Sequence, residues 1–285
     1  MSTVLKGKPT ADALDLDTTA RAESLKAKGV TPTLAILRVG EREDDLAYER
    51  GALKRAEKNG VAVKQVLLPA DVTQDELLTA IRSLNEDDSV HGVLMFRPLP
   101  KHLDENEACE ALAPEKDVDG ITRGSMASIY SGKGAGFAPC TAESCIEILK
   151  YNNVEMSGKR AVVIGRSLVI GKPVAMLLMA NNATVTVCHS RTKDMPNVVG
   201  EADIVIACLG RAEMITADYF APGQIVLDVG INWSEEKNKL VGDVAFDEVE
   251  PIVDAITPVP GGVGSGTTAV LIRHVVEAAE KAAAK

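Results

Sequence analysis

Along the first hundred residues the hydrophobic positions switch between two periods. "TLAILRVG" (33–40) reads as a buried strand, while "DDLAYERGALKRAEKNG" (44–60) spaces its apolar residues for a helix that ends at Gly60. "VAVKQVLLP" (61–69) predicts a second strand, and "VHGVLMFRPLP" (90–100) a third that breaks at its prolines. Between them "TQDELLTAIRSLNED" (73–87) predicts a helix, with Thr73 as N-cap and Glu76 closing a capping box. Strands alternating with helices in this way imply parallel pairing through helical crossovers.

The glycine-rich "GKGAGFAPCT" (132–141) marks the approach to a domain boundary. A helix from Ala142 to Tyr151 then leads into strands at 160–165, 183–189, 202–210 and 224–230, again alternating with helices. The last segment, 267–285, predicts a helix that returns to the first domain. The expected fold is thus α/β with two domains of parallel strands and helical crossovers, residues 1–140 and 141–266, the second Rossmann-like and dinucleotide-binding.

Composition narrows the function classes. The 285 residues are 46% hydrophobic but only 3% aromatic, so Val, Leu, Ile and Ala must build the core, which suits parallel sheets covered by helices. A net charge of −10 with no basic face argues against a nucleic-acid partner. The N-terminal segment has no apolar signal core and no run approaches a membrane span, so no membrane association and a cytoplasmic location are expected. Five cysteines form no CxxC and the four histidines are scattered, so buried thiols are expected rather than disulfides, and no metal site.

The clearest chemical signal is "AVVIGRSLVIGKP" (161–173). Gly165 and Gly171 bracket a strand-to-helix turn whose backbone N–H groups would face an anion, with Ser167 where a dinucleotide fingerprint has its middle glycine. The next strand ends in "HSRTK", where Ser190 and Arg191 stand in the place of the carboxylate that prefers NAD. A hydroxyl and a guanidinium suit a 2′-phosphate, with Arg166 as a second cation, so NADP is expected over NAD.

Four fragments together, "GRSLVIGKP" (165–173), "KDVDG" (116–120), "RPLP" (97–100) and "TPVPGGVG" (257–264), resemble the bacterial bifunctional methylenetetrahydrofolate dehydrogenase/methenyltetrahydrofolate cyclohydrolase family over nearly the whole chain. The resemblance implies a folate domain, an NADP domain with a cleft between them, a tetrahydrofolate derivative as substrate, and a homodimer. It assigns Tyr48 to stacking on the substrate and Asp119 to the donor edge of the pterin, both within the catalytic set. It lays Pro260, Gly261, Gly262, Val263 and Gly264 along the folate and nicotinamide, and adds Pro173 and Ile231 to the cofactor contacts. From the residues alone Tyr48 could equally be a packing side chain and Asp119 a turn residue ahead of Gly120, although Asp117 suits the turn better.

The match breaks at one reaction. The family's tyrosine is followed four places on by a lysine, which works with a glutamine at the end of the third strand to activate water; here those positions are Ala52 and Phe96, and Arg97 follows. Lys54 is no substitute, since two residues turn a helix by about 200°. Neither alanine nor phenylalanine can move a proton. Hydride transfer, by contrast, needs two rings held in place. The sequence therefore predicts an NADP-dependent dehydrogenase whose cyclohydrolase step is weak, absent or rebuilt from other residues, with Arg97 near the substrate. A non-catalytic folate- or NADP-binding sensor is the rival reading.

Overall fold

The structure is a computed structural model describing residues 2–284. In chain order, strand β1 (Thr3–Val4) and helix α1 (Gly7–Ala27) precede β2 (Thr33–Val39), α2 (Glu43–Lys58), β3 (Ala62–Leu68), α3 (Gln74–Glu86), β4 (Gly92–Met95), α4 (Glu105–Ala111) and α5 (Arg123–Ser131). The chain continues through α6 (Cys140–Tyr151), β5 (Arg160–Ile164), α7 (Gly171–Ala180), β6 (Thr184–Cys188), α8 (Met195–Gly200), β7 (Ile204–Ala207) and β8 (Ile225–Asp228). A ribbon of β9 (Asn232–Ser234) and β10 (Lys239–Val241), then α9 (Phe246–Val249), β11 (Ala255–Ile256) and α10 (Thr267–Ala283), complete it. Two compact units result: Asp12–Cys140 with Thr268–Lys285, and Met1–Ala11 with Thr141–Thr267.

The first of these units holds a parallel sheet in the order β3-β2-β4. Strand β2 is buried on both faces, which is why its middle reads as the apolar run Leu34–Leu37, ahead of Arg38. Leu34 and Ile36 face a core shared with Val270, Leu271, Val275 and Val276 of α10. Ala35, Leu37 and Val39 face a second core with Leu77, Ile81 and Leu84 of α3. Each fully buried Leu or Ile contributes roughly 1.5–3 kcal/mol by leaving water.

Helix α1 was invisible to periodicity. Its buried side chains Thr10, Ala11, Asp15, Thr18, Ala22 and Leu25 recur at helical spacing, yet three of the six are polar. Tertiary contacts supply what the pattern lacks: Asp15 accepts from Arg55 at 2.9 Å, Lys58 at 2.7 Å and Asn59 at 3.0 Å.

The other unit is a six-stranded parallel sheet in the order β1-β11-β8-β7-β5-β6. Its outer strand β1 comes from the start of the chain, Thr3 and Val4 pairing with Ala255 and Ile256. The units divide at Cys140 and Thr141, as in the expected 1–140 and 141–266, but the first unit starts at Asp12 and not at residue 1. Backbone pairing places the first eleven residues in the second unit, and a two-residue strand leaves no period to detect. From β5 the chain first goes to one neighbour, β6, and then crosses to the other, β7. The carboxyl ends of β5 and β7 therefore flank a topological switch point, where open α/β sheets bind ligands.

Helix α3 carries the expected cap: Thr73 Oγ1 accepts from the Glu76 N–H, and the Glu76 carboxylate accepts from the Thr73 N–H at 2.9 Å. Thr73→Ala is expected to cost about 1 kcal/mol, read as a lower urea midpoint at unchanged m-value. An unchanged midpoint would show the box to be ornamental.

Candidate active site

In the six-stranded unit the turn after β5 is shaped by close packing. Gly165 has φ +132°, and a Cβ there would strike the backbone carbonyl and thiol of Cys208. Gly171, the first residue of α7, has no room for a side chain against Gly165 and Arg166. Ser167 Oγ accepts from the Ile170 N–H at 3.1 Å and the Gly171 N–H at 3.4 Å, so it caps the helix from within the turn. Pro173 is buried in the first helical turn, where a missing N–H costs nothing.

The β5–β6 register pairs Ile164 with Cys188, which brings Arg166 level with Ser190 and Arg191 at the same sheet edge. All three are exposed. Neither arginine forms an ion pair among the described residues. The turn thus offers helix N–H groups, a tight backbone and two uncommitted guanidiniums, a donor set that fits a phosphorylated dinucleotide.

Sequence reasoning missed the pair of carboxylates behind this edge. Asp243 accepts from the N–H groups of Leu209, Gly210 and Arg211 and from Asn232 Nδ2, so it holds the loop after β7. Asp228 accepts from Gly230, Asp243 and Val244 N–H groups at 2.9–3.0 Å, and Thr257 Oγ1 accepts from its backbone N–H at 2.8 Å. The available signal was "DVG" and "GDV", glycines beside aspartates: a Cβ on Gly230 would meet Asp243, and one on Gly242 would meet Asp228. Burial pushes the Asp228 carboxyl up to about 7, against the pull of its three backbone donors.

Ile231 and the segment Pro258–Ser265 line one pocket with Asp228 and Leu240, so the structure brings Ile231 together with Pro260, Gly261, Gly262, Val263 and Gly264. The loop is pinned by Gly7 N–H to Gly261 O at 2.8 Å and Ser144 Oγ to Val263 O at 2.9 Å. Gly266 suits the same packing, since a Cβ there would run into Ser144 Oγ.

The three-stranded unit gathers Tyr48, Phe96 and Asp119. Phe96 meets Tyr48 edge-on, with ring centroids 5.8 Å apart at 82°. Both belong to the same hydrophobic cluster as Ala52, which is fully buried. Asp119 and Tyr48 are neighbours: burial and then the Asp119 carboxylate push the tyrosine hydroxyl upward.

Burial also raises the Asp119 carboxyl, while Cys140, Arg97 and His274 draw it down. Asp117 takes the turn role, accepting from the Ile121 and Thr122 N–H groups and from Ser125 Oγ at 2.6–3.0 Å. That leaves Asp119 outside the turn's own bonding. Cys140 and His274, unremarkable in the sequence, both reach the Val118 carbonyl, at 3.2 and 2.9 Å. Arg97 faces Glu105 at 3.7 Å, so its charge is shared.

The fold and these loops define a dinucleotide-binding α/β protein with a second, folate-type unit. Residues 5–119 match the family model "Tetrahydrofolate dehydrogenase/cyclohydrolase, catalytic domain", and residues 139–283 match the "NAD(P)-binding domain" of the same family. The chain is 52% identical over 281 residues to the bifunctional protein FolD of Carboxydothermus hydrogenoformans, covering 98% of each. Among solved structures it is similar to the bifunctional FolD enzyme of Campylobacter jejuni (TM-score 0.94, 38% identity, 99% of each chain). It is also similar to the FolD of Trypanosoma brucei, complexed with NADP cofactor and inhibitor (TM-score 0.91, 34% identity, 100% of this chain and 99% of that one). The chain belongs to the tetrahydrofolate dehydrogenase/cyclohydrolase family.

Because Asp228 holds its proton to a higher pH when folded, the unfolded chain releases that proton first on going from roughly pH 4 to pH 7. Stability is therefore expected to fall as pH rises through that window, and Asp228→Asn should flatten the slope in urea titrations at successive pH values. A variant profile as steep as the wild type would refute this origin.

Proposed function

We propose that the protein oxidises 5,10-methylenetetrahydrofolate to 5,10-methenyltetrahydrofolate with NADP, and that its hydrolysis of the methenyl bridge is impaired. The observation that carries the reading is the β5–β6 register, which sets Arg166 beside Ser190 and Arg191 at the mouth of a glycine turn. NADP, when bound, accepts the hydride. The protein's residues orient. Gly165, Ser167, Gly171 and Pro173 shape the phosphate turn, Arg166, Ser190 and Arg191 hold the 2′-phosphate, and Ile231 contacts the nicotinamide side. Asp119 accepts from the donor edge of the pterin, Tyr48 stacks on the ring, and Pro260 to Gly264 run along it. Arg97 contributes positive charge near the substrate.

The impairment rests on the Ala52–Phe96 pair. Water attack on the bridge needs a base, and neither Ala52 nor Phe96, which meets Tyr48 edge-on, can accept a proton. With methylenetetrahydrofolate and NADP, NADPH is expected to rise while methenyl product accumulates and decays at the enzyme-free rate. Absence of NADPH formation with either NADP or NAD would leave the binding-sensor reading. Ala52→Lys alone should cost more than about 2 kcal/mol, since it places an ammonium at a fully buried position, and A52K/F96Q should recover catalysed methenyl decay.

The reading extends to a cytoplasmic homodimer. Edge strand β6 supports it, for Thr184, Val185, Thr186 and Val187 present a β-branched edge that pairs on one side alone among the described residues. Light scattering should return twice the chain mass of 30.1 kDa, and a monomer at micromolar concentration would contradict it.

A further inference from the structure

The interior line of α2 carries two carboxylates that the hydrophobic pattern did not anticipate. Asp45, Glu49, Ala52 and Ala56 are its buried residues. At about 100° per residue Asp45 and Ala52 lie within about 20° of each other, with Tyr48 about 60° to one side. Asp45 thus stands on the same face as Ala52 and Tyr48, one turn before the tyrosine. Arg42 Nη1 donates to the Pro98 carbonyl at 3.1 Å, which sets this first turn of α2 against the segment that follows Phe96.

The two acids have different surroundings. Glu49 is engaged on both oxygens, by Arg38 Nε at 2.8 Å and by Gln65 Nε2. Asp45 is 7% exposed, and among the described residues its side chain makes no hydrogen bond and no ion pair within 4 Å. The charges around it are Arg42, Asp44 and Glu49 on its own helix and Arg38 on β2. Burying a carboxylate without a hydrogen-bonding partner is costly, and only the more distant charges of Arg42 and Arg38 offset part of that cost.

The reaction creates a charge of the matching sign. Loss of a hydride from the methylene bridge takes a C–H bonding pair to NADP and gives NADPH. The positive charge left on the folate is shared between the two bridge nitrogens as an amidinium. A lysine at position 52 would oppose that cation, whereas here the position is alanine and the charge two turns earlier on the same line is negative.

We propose that Asp45 is an electrostatic specificity residue, whose unpaired carboxylate on the Tyr48 face of α2 favours the methenyl cation over folates with an uncharged bridge. The proposal rests on the folate reading above. It explains why the losses at 52 and 96 accompany a buried acid: the helix has exchanged a positive, water-activating face for one that stabilises the product of oxidation.

The test compares Kd for 5,10-methenyltetrahydrofolate, a cation at the bridge, with Kd for tetrahydrofolate, which shares the pterin and glutamate tail. Asp45→Asn is expected to weaken the cation roughly tenfold and tetrahydrofolate less than about twofold, the difference a single charge makes at a partly desolvated site. The kcat for NADP-dependent oxidation should fall with it, and Asp45→Glu should restore part of both effects. Equal losses for both ligands, or none, overturn the proposal, as does a glutamate variant no better than asparagine at matched Tm. Wild-type methenyl decay above the enzyme-free rate that Asp45→Asn abolishes would make Asp45 a general base and likewise overturn it. A wild-type protein that oxidises methylenetetrahydrofolate yet binds both ligands equally rejects this proposal alone, whereas one that binds neither folate rejects the function and the proposal together.

Discussion

Buried carboxylates that accept backbone N–H groups of the loops are the interaction on which the rest of this molecule depends. A loop amide outside a ladder or helix must find an acceptor. Asp228 and Asp243 supply it at the ends of β8 and β7, and Asp117 in the loop that leads into α5, each taking two or more backbone donors. The same loops carry the functional residues. Fixing the amides of 209–211 and 230 shapes the edge beside the phosphate turn, and fixing those of 121 and 122 leaves Asp119 outside the turn's own bonding.

This division of labour separates neighbouring aspartates that look alike in sequence. In "KDVDG" the first acid is fully buried and spent on structure, and the second keeps partial exposure and neighbours Tyr48. On α2 the same contrast recurs between Glu49, paired with Arg38 and Gln65, and Asp45, which makes no hydrogen bond or ion pair among the described residues. A carboxylate consumed by backbone or by a guanidinium stabilises the fold.

Ala52 and Phe96 belong to one buried cluster in which a small residue and a large one stand near Tyr48. Deleting a lysine stem from a packed interior opens a cavity, and cavities are destabilising in proportion to their size. An aromatic ring at 96, edge-on to Tyr48, occupies space in the same cluster. Hydride transfer asks the protein for orientation, whereas water activation asks for a proton acceptor, and on the reading proposed above only the second depends on these two positions.

Much of the architecture was legible in the residues themselves. Continuous apolar runs marked the buried parallel strands, since a strand covered on both faces has no polar side to alternate. Thr73 and Glu76 marked a helix start, because a capping box is local chemistry. The phosphate turn and Ala52 were readable for the same reason: backbone conformation and side-chain type are properties of short segments. What the tertiary structure alone decided were the pairings between distant segments. Helix α1 depends on Asp15 meeting Arg55 and Asn59, β1 on Ala255 and Ile256, and the second unit's loops on Asp228 and Asp243. Each joins residues far apart along the chain, so no window on the sequence contains both partners, and only folding shows which acids are spent on structure and which remain.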